Sequence, residues 1–272
     1  MIKRFIAKQL YNLGVKSRKK TKKGLVLLAT TFLNGYNNAS YDSNKNGESY
    51  ILNIMSKFKP KIIFDVGANI GEWSDISSKL YTDATTYSFE LAESTFKILE
   101  ENTKNMKNVK TFNVGLSDKK ESVEYLFYGA GAGNTTLVMN EDIHSKVNCK
   151  TLVGHTLTGD DFCRENNINK IDFLKVDVEG AEPNVFKGFQ DMIKNHKIDV
   201  IQFEYGMVNI YTRYLLKDYY EFFKENGYEI GKLHPNGVKF NSYKPQDEDF
   251  KGPNYIAVLK ENKEYIRELS DH

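Results

Sequence analysis

The sequence is poor in cysteine. Its 272 residues include only Cys149 and Cys163, with 13 residues between them. That spacing matches neither a CxxC redox motif nor a zinc-binding pattern. We therefore predict two buried or inert thiols in a protein of a reducing compartment.

Long apolar runs are also missing. The apolar run Gly24–Leu33 has ten residues, whereas a helix that spans a bilayer needs about 20. It follows a basic region that is too long for a cleaved secretory signal. We interpret this run as a helix that packs over a sheet, and we predict a cytoplasmic protein.

Acidic residues are absent from residues 1–41, which we call the basic arm. The arm carries nine Lys and Arg residues, and the rest of the chain carries 29 basic and 36 acidic residues, a net charge of −7. An acidic body is unfavourable for binding a phosphate backbone. We therefore predict no nucleic-acid partner.

The basic arm begins with helical periodicity. Its apolar residues recur at the spacing of one helix face, at Ile2, Phe5, Ile6, Leu10 and Leu13. A cationic cluster follows at positions 16–23. Residues 1–23 fit an amphipathic helix on the anionic inner face of a membrane, where each charge contributes roughly 1 kcal/mol. They also fit a helix that packs on the core or on a second subunit of a homodimer.

Strand and helix patterns alternate after position 60. Strand patterns cover 61–66, 85–90, 109–114, 171–176 and 199–203, with helix patterns at 72–80, 92–107, 160–166 and 183–196. These connections are long enough to return successive strands in parallel. The sequence predicts an α/β fold with a doubly wound, mostly parallel seven-stranded sheet and an antiparallel last strand. We also predict N-terminal helices and a small β insertion at 122–156. Within this insertion, residues 129–134 are either a substrate lid or a hairpin connection.

A glycine turn follows the first strand. Gly67 and Gly71 bracket Asn69, which tolerates left-handed backbone, so the turn leaves room for a ligand. Amides of such a turn suit a polar or anionic group. Asp65 would repel a pyrophosphate but suits a cationic amino acid moiety. Because the turn also departs from GxGxxG, S-adenosylmethionine fits better than a dinucleotide.

A second acid lies where a ribose would bind. Glu90 ends the second strand, 23 residues after Gly67. This is about the spacing at which an acid reaches a ribose hydroxyl in nucleotide-binding folds. Asp118, after the third strand, would face the adenine. The alternative for Glu90 is a solvated strand end.

Three more acids follow the fourth and fifth strands, where a second substrate should bind. They are Asp177, Glu179 and Glu204. One of them could take a proton from an acceptor hydroxyl, or two could hold a divalent metal ion. Glu179 could instead complement a helix dipole. His155, near the end of a strand, is a further candidate base, with a structural role as its alternative.

Four segments together resemble the FkbM family of S-adenosylmethionine-dependent methyltransferases. They are Phe64–Gly71, Ser88–Glu90, Gly115–Asp118 and Asp172–Glu182 (DFLKVDVEGAE). The resemblance covers roughly residues 60–205 in the family's order, and the last segment is highly specific. It differs at Leu91, where family members often carry proline, which puts the turn geometry in doubt.

The resemblance implies a class I methyltransferase (Rossmann-like) fold and O-methyl transfer to a sugar hydroxyl in surface-polysaccharide synthesis. We predict a basic, amphipathic helical extension at 1–50 and the methyltransferase domain at 51–272. The predicted cofactor-binding residues are Asp65, Gly67, Ala68, Asn69, Gly71, Trp73, Glu90, Leu91, Ser117, Asp118 and Asp177. The predicted catalytic residues are Asp177, Glu179, Glu204 and His155. We expect no metal, although a divalent ion is compatible with the acids.

Two alternatives stay open at this point. One is methylation of a phosphoryl-derived oxygen or an amine on a nucleotide-activated precursor. The other is a non-catalytic nucleoside-binding module of a glycan-assembly complex. Binding of S-adenosylmethionine or NAD would separate a methyltransferase from a dehydrogenase-like protein.

Overall fold

A computed structural model describes residues 2–16, 23–40, 42–43, 45–133, 135–137 and 149–271. In chain order the strands are β1 Ile62–Val66, β2 Thr85–Phe89, β3 Val109–Phe112, β4 Gly115–Leu116, β5 Glu121–Phe127, β6 Lys150–Leu157, β7 Ile171–Val176, β8 Ile198–Glu204, β9 Tyr228–His234, β10 Gly237–Phe240 and β11 Asn254–Leu259. The helices are α1 Ile2–Lys16, α2 Lys23–Tyr36, α3 Glu48–Met55, α4 Glu72–Leu80, α5 Glu93–Thr103, α6 Gly159–Glu165, α7 Glu182–Gly188, α8 Gln190–Lys194, α9 Asn209–Thr212, α10 Leu216–Glu225 and α11 Lys263–Leu269.

Eight strands form the main sheet, in the order β10-β9-β11-β8-β7-β1-β2-β3. The pairs β3–β2, β2–β1, β1–β7 and β7–β8 are parallel, whereas β11 is antiparallel to both β8 and β9. The predicted mostly parallel α/β sheet with an antiparallel last strand is therefore confirmed. The strand number differs from seven because β10 turns back after β9 as an antiparallel hairpin.

The β insertion forms a separate sheet. Strands β4, β6 and β5 lie in that order, with β5 and β6 antiparallel. The strand predicted at 109–114 divides here, because β3 ends in the main sheet and β4 begins the second sheet. The loop between β5 and β6 includes residues 138–148, which lie outside the described residues.

Both faces of the main sheet are covered. On β1, Ile63 belongs to one buried apolar cluster and Phe64 to the other, and Phe173 and Leu174 divide in the same way on β7. Strands buried on both faces are expected to be largely apolar, as β1 and β7 are except for Asp65, Asp172 and Lys175. Cys163 is buried in α6, as predicted for this thiol, and burial raises its pKa to about 12.

The segment before position 50 contacts the body. Asn38 is buried, and its side-chain amide donates hydrogen bonds to the carbonyls of Leu233 (2.8 Å) and Asn46 (2.6 Å). Helix α3 crosses the division expected at position 50, and its buried residues Ile51, Leu52 and Met55 join the apolar cluster on one face of the sheet.

Helices α1 and α2 have a different environment. The side chains of Phe5 and Leu10 are each 63% exposed, and those of Leu27 and Leu28 are each 68% exposed. The interpretation of Gly24–Leu33 as a helix packed over the sheet is wrong, because the described residues of α2 expose their apolar side chains. Packing of Phe5, Ile6, Leu10 and Leu13 on the core is not seen either. None of the helices described has the length and apolar content required to cross a membrane.

Candidate active site

A cavity of about 360 Å³ opens at the carboxyl ends of β1, β2, β7 and β8. Volumes of this size are typical of small-molecule sites, and strand ends are where open α/β sheets bind ligands. The structure brings seven of the predicted site residues to its wall: Gly67, Asn69, Glu90, Leu91, Asp177, Glu179 and Glu204.

The glycine turn between β1 and α4 has left-handed backbone at three positions. The φ angles are 81° at Gly67, 48° at Asn69 and 91° at Gly71. A Cβ at Gly67 would lie 1.8 Å from the backbone oxygen of Asp177, and one at Gly71 would lie 2.7 Å from Leu99 Cδ1. Glycine is therefore needed because other parts of the chain approach closely, and not only to admit a ligand as the sequence suggested.

Glu90 lies at the β2 side of the cavity. One carboxylate oxygen accepts a hydrogen bond from the amide of Asn69 (3.1 Å), and the other accepts one from the amide of Ala92 (2.9 Å). Burial raises the pKa of Glu90, and the two amides oppose this shift. Each oxygen has a second lone pair, so a Glu90 held in this way can still accept a hydrogen bond from a ligand hydroxyl.

Asp65 does not reach the cavity wall as far as the described residues show. It is fully buried, accepts a hydrogen bond from Ser74 Oγ (2.6 Å) and forms an ion pair with Lys175 Nζ (3.3 Å). The structure therefore does not support the expected contact of Asp65 with a cationic group of the cofactor, because the carboxylate of Asp65 is already paired with Lys175.

Lys175 is the buried cation beneath the site. Its ammonium lies 3.2 Å from Asp177 Oδ2 as well as 3.3 Å from Asp65 Oδ1. Burial alone would lower the pKa of Lys175, but Asp177, Asp65 and Glu48 outweigh this effect and raise the pKa. Lys175 therefore stays charged and compensates part of the negative charge around it.

Five other predicted cofactor residues, Gly71 of the glycine turn among them, are not among the described residues that line the cavity. Trp73 packs edge-on against Phe173, with ring centroids 5.6 Å apart. Ala68 and Ser117 are buried, and Asp118 lies beside Ser117 with 3.3 Å between Oδ1 and Oγ. The cavity is instead lined at this side by Gly115 and Leu116, the residues of β4.

Asp177, Glu179 and Glu204 form an acidic cluster at the β7–β8 side. One carboxylate oxygen from each lies within 4.8 Å of the others. Burial, then the charges of Asp177 and Glu182, raise the pKa of Glu179 to about 8. Burial, then Asp177 and Glu179, also raise the pKa of Glu204. Oxygen ligands at this spacing suit a hard divalent cation, but protons and Lys175 can balance the same charges.

Glu179 has a positive φ of 53°, followed by Gly180 at 100°. Left-handed backbone at a residue with a side chain costs on the order of 1–3 kcal/mol and persists only where surrounding contacts hold it. The carbonyl of Glu179 accepts a hydrogen bond from Thr136 Oγ1 (2.6 Å). The loop that follows β5, with glycines at 129, 131 and 133, therefore reaches this turn. Its residues Ala132, Gly133 and 135–137 line the cavity next to the turn.

His155 lies on the second sheet. It is exposed on β6, opposite Ser122 of β5, and its Nδ1 is 3.2 Å from Ser122 Oγ. It is not one of the described residues at the cavity wall. The structure therefore does not bring His155 to the cavity as a catalytic base, because β6 belongs to the second sheet and exposes this side chain.

Glu48 was not predicted but lines the cavity. Its carboxylate accepts a hydrogen bond from Asn254 Nδ2 (2.5 Å), and Asn254 in turn accepts one from Gln202 Nε2 (3.3 Å). Burial raises the pKa of Glu48, while Lys175 lowers it. Glu48 precedes Asp177 by 129 positions, and no sequence signal connects the two.

Residues 65–230 match the family model described as the methyltransferase FkbM domain. Methyltransferase 1 of Beauveria bassiana is 30% identical over 152 residues, which cover 47% of this chain and 58% of that protein. The hexuronic acid methyltransferase AglP of Haloferax volcanii is 27% identical over 147 residues, covering 54% and 57%. The chain thus spans less than two thirds of the length of these relatives.

Among solved structures, the methyltransferase FkbM of Methylobacillus flagellatus KT aligns with a TM-score of 0.47 and 15% identity. The alignment covers 74% of this chain and 44% of that one.

Proposed function

Since the chain belongs to the FkbM methyltransferase family, we propose that it transfers a methyl group from S-adenosylmethionine to a hydroxyl of a small neutral acceptor such as a sugar. The observation that carries this proposal is the division of one cavity into two ends. Glu90 and the glycine turn lie at one end, and the acidic cluster with Glu48 lies at the other.

The cofactor would occupy the β1–β2 side. Glu90 would accept hydrogen bonds from the ribose hydroxyls, and Leu91 with Leu116 would contact the adenine. Asp177 would take the role first assigned to Asp65. It follows β7 directly, its amide donates to Val66 O (2.9 Å), and its side chain lies at the cavity wall. Its carboxylate would hold the methionyl ammonium group.

The acceptor would lie against Glu179 and Glu204. During transfer the acceptor oxygen forms a bond to the methyl carbon, the carbon–sulfur bond breaks, and the sulfonium becomes a neutral thioether. The hydroxyl proton moves to a carboxylate of the acidic cluster. A base with a pKa of about 8, as at Glu179, is well matched to this step near neutral pH. Positioning the hydroxyl in line with the reactive sulfonium supplies much of the acceleration.

The charge of the cavity supports a neutral acceptor. Three carboxyl groups line the acceptor side, namely Glu48, Glu179 and Glu204, and the buried Lys175 lies beside the neighbouring Asp177. An anionic acceptor would be repelled by these groups when they are ionised, and one of them must be ionised to take the hydroxyl proton. A hexuronate is the group named for the Haloferax relative, and we propose that this chain takes a sugar without a free carboxylate. The same argument disfavours a phosphoryl oxygen and a nucleic acid.

An amine acceptor is the second candidate. The acidic cluster would attract an ammonium group, which must lose a proton before it can attack the methyl carbon.

We further propose that the methyltransferase domain begins near Asn38, because Asn38 contacts the sheet and Glu48 lines the cavity. We place the enzyme in the cytoplasm, in agreement with its low cysteine content.

The test is methyl transfer from isotopically labelled S-adenosylmethionine into a cell extract, with mass spectrometry of the labelled product. The account predicts a methyl ether on a neutral sugar, formed by the wild type and lost in Glu179→Gln. A methyl ester, a methylated phosphate or an N-methyl product would contradict the proposed acceptor. Absence of labelling together with absence of cofactor binding would contradict the activity itself.

A further inference from the structure

Helices α1 and α2 carry most of the large apolar side chains that are exposed in the described residues. The basic arm exposes large apolar side chains on both helices, among them Phe5, Leu10, Leu28 and Phe32. Buried side chains begin, in the described residues, at Asn38. Contiguous exposed apolar surface of this extent marks a site of interaction with a protein or a membrane.

Helix α2 is largely apolar around its circumference, and Thr30, Thr31 and Asn34 are the polar side chains of residues 24–35. Residues 24–36 include no charged side chain, and Leu25, Val26, Leu27 and Leu28 are all at least half exposed although they point in four different directions. A helix that is apolar all round is found in a large core or in a membrane. Its 14 residues extend about 21 Å, less than the roughly 30 Å of a bilayer core. Such a helix can lie in a membrane surface but cannot cross it.

Helix α1 adds cations to the apolar residues. Lys3, Arg4 and Lys8 are exposed on the same helix as Phe5 and Leu10. The whole arm carries nine basic residues and no acid. Anionic lipid headgroups complement this charge, whereas a second copy of the arm would repel it.

The body of the chain offers little that could cover the arm. Its exposed large apolar side chains, in the part that the structure describes, are Leu80, Val153, Met207, Ile210, Tyr211 and Leu215. The last four form a small group around α9. A partner copy would therefore cover only part of the apolar surface of α1 and α2, whereas a lipid surface would cover all of it.

We propose that α1 and α2 dock the protein on an anionic membrane surface, with their apolar side chains in the headgroup region and the basic residues against lipid phosphates. This docking does not depend on the proposed reaction. It would hold the cavity near acceptors that are assembled at a membrane.

The experiment is sedimentation of the full chain with vesicles of phosphatidylcholine, alone or mixed with phosphatidylglycerol. We expect binding to the mixed vesicles that is at least about tenfold stronger than to phosphatidylcholine alone, and that weakens as salt is raised from about 0.1 M to about 0.5 M. The triple variant Phe5→Ser/Leu28→Ser/Phe32→Ser should bind at least about tenfold more weakly. Val153→Ser, which removes an exposed apolar side chain of β6, is the matched control and should bind as the wild type does.

Three results would overturn the proposal. The first is a full chain that stays in the supernatant with both kinds of vesicle. The second is a triple variant that sediments like the wild type. The third is a dimer, seen by light scattering, that the triple variant and Ile210→Ser both dissociate while vesicle binding is absent. That outcome would assign the arm to a second copy of the chain.

Discussion

Asp65 and Lys175 lie directly opposite each other on the paired parallel strands β1 and β7, and their side chains form a buried ion pair with 3.3 Å between Oδ1 and Nζ. The pair explains why the acid near the end of β1 is held by a cation of the protein itself and is not among the described residues that line the cavity. It also links the floor of the cavity to the acidic cluster, because Lys175 contacts Asp177 at the same time.

Lys175→Met should destabilise the protein strongly. The substitution leaves the carboxylate of Asp65 buried without its cation, which costs about 3–5 kcal/mol of unfolding free energy. Lys97→Met is the control, since Lys97 pairs with Glu93 at the surface and its loss should cost at most about 1 kcal/mol. Chemical denaturation measures both. The double variant Asp65→Asn/Lys175→Met should recover part of the loss, and equal costs for the two single lysine variants would contradict the account.

Gly67→Ala should be more costly than Gly129→Ala. Both glycines have positive φ, 81° and 132°, but a Cβ at Gly67 meets the backbone oxygen of Asp177, whereas nothing lies within 4 Å of one at Gly129. Gly129→Ala therefore isolates backbone strain, on the order of 1–3 kcal/mol. Gly67→Ala adds the displacement of Asp177. Thermal unfolding compares the two, and similar melting temperatures would show that the turn can move away.

The unfolding free energy should fall as pH rises from about 4.5 to about 8. In this range an unfolded Glu179 has lost its proton, since its ordinary pKa is 4.5, while the folded protein keeps the proton up to a pKa of about 8. The unfolded state then binds fewer protons, so stability decreases with pH. Glu179→Gln should make this decrease shallower, and Glu124→Gln on exposed β5 should not. Parallel curves for all three proteins would refute the raised pKa.

Removal of divalent metal ions should leave methyl transfer unchanged. Lys175 and the protons held at raised pKa balance the acidic cluster, so a metal is not needed for charge compensation. The measurement is labelled methyl transfer before and after exhaustive treatment with a chelator. Loss of activity that Mg²⁺ or Mn²⁺ restores would instead make Asp177, Glu179 and Glu204 metal ligands.

The sequence predicted the sheet because its strands are mostly apolar and its crossovers are long. It also predicted that Glu90, Asp177, Glu179 and Glu204 share one edge, since parallel strand ends meet there. It did not show that Asp65 points into the protein. A signal was present in Lys175, a lysine inside the otherwise apolar part of β7, which needs a buried carboxylate as its partner.

Two other features depend on tertiary contacts that no local pattern contains. His155 was a candidate base because it lies near the end of a strand of the predicted β insertion, but β6 pairs with β4 and β5 in a separate sheet and leaves this side chain exposed. Glu48 belongs to a segment that was interpreted as an extension, and it reaches the cavity only because α3 packs on the sheet next to Asn254.

Calorimetric titration with S-adenosylmethionine tests the central claim most directly, that the cavity beside Glu90 and the glycine turn binds this cofactor. The wild type should bind, and Glu90→Ala should bind more weakly by about 1–3 kcal/mol, the cost of losing a charged hydrogen-bond partner. Glu93→Ala, an exposed acid three positions further along the chain, should bind as the wild type does. A wild type that fails to bind at millimolar concentrations, or a folded Glu90→Ala with unchanged affinity, would contradict the account.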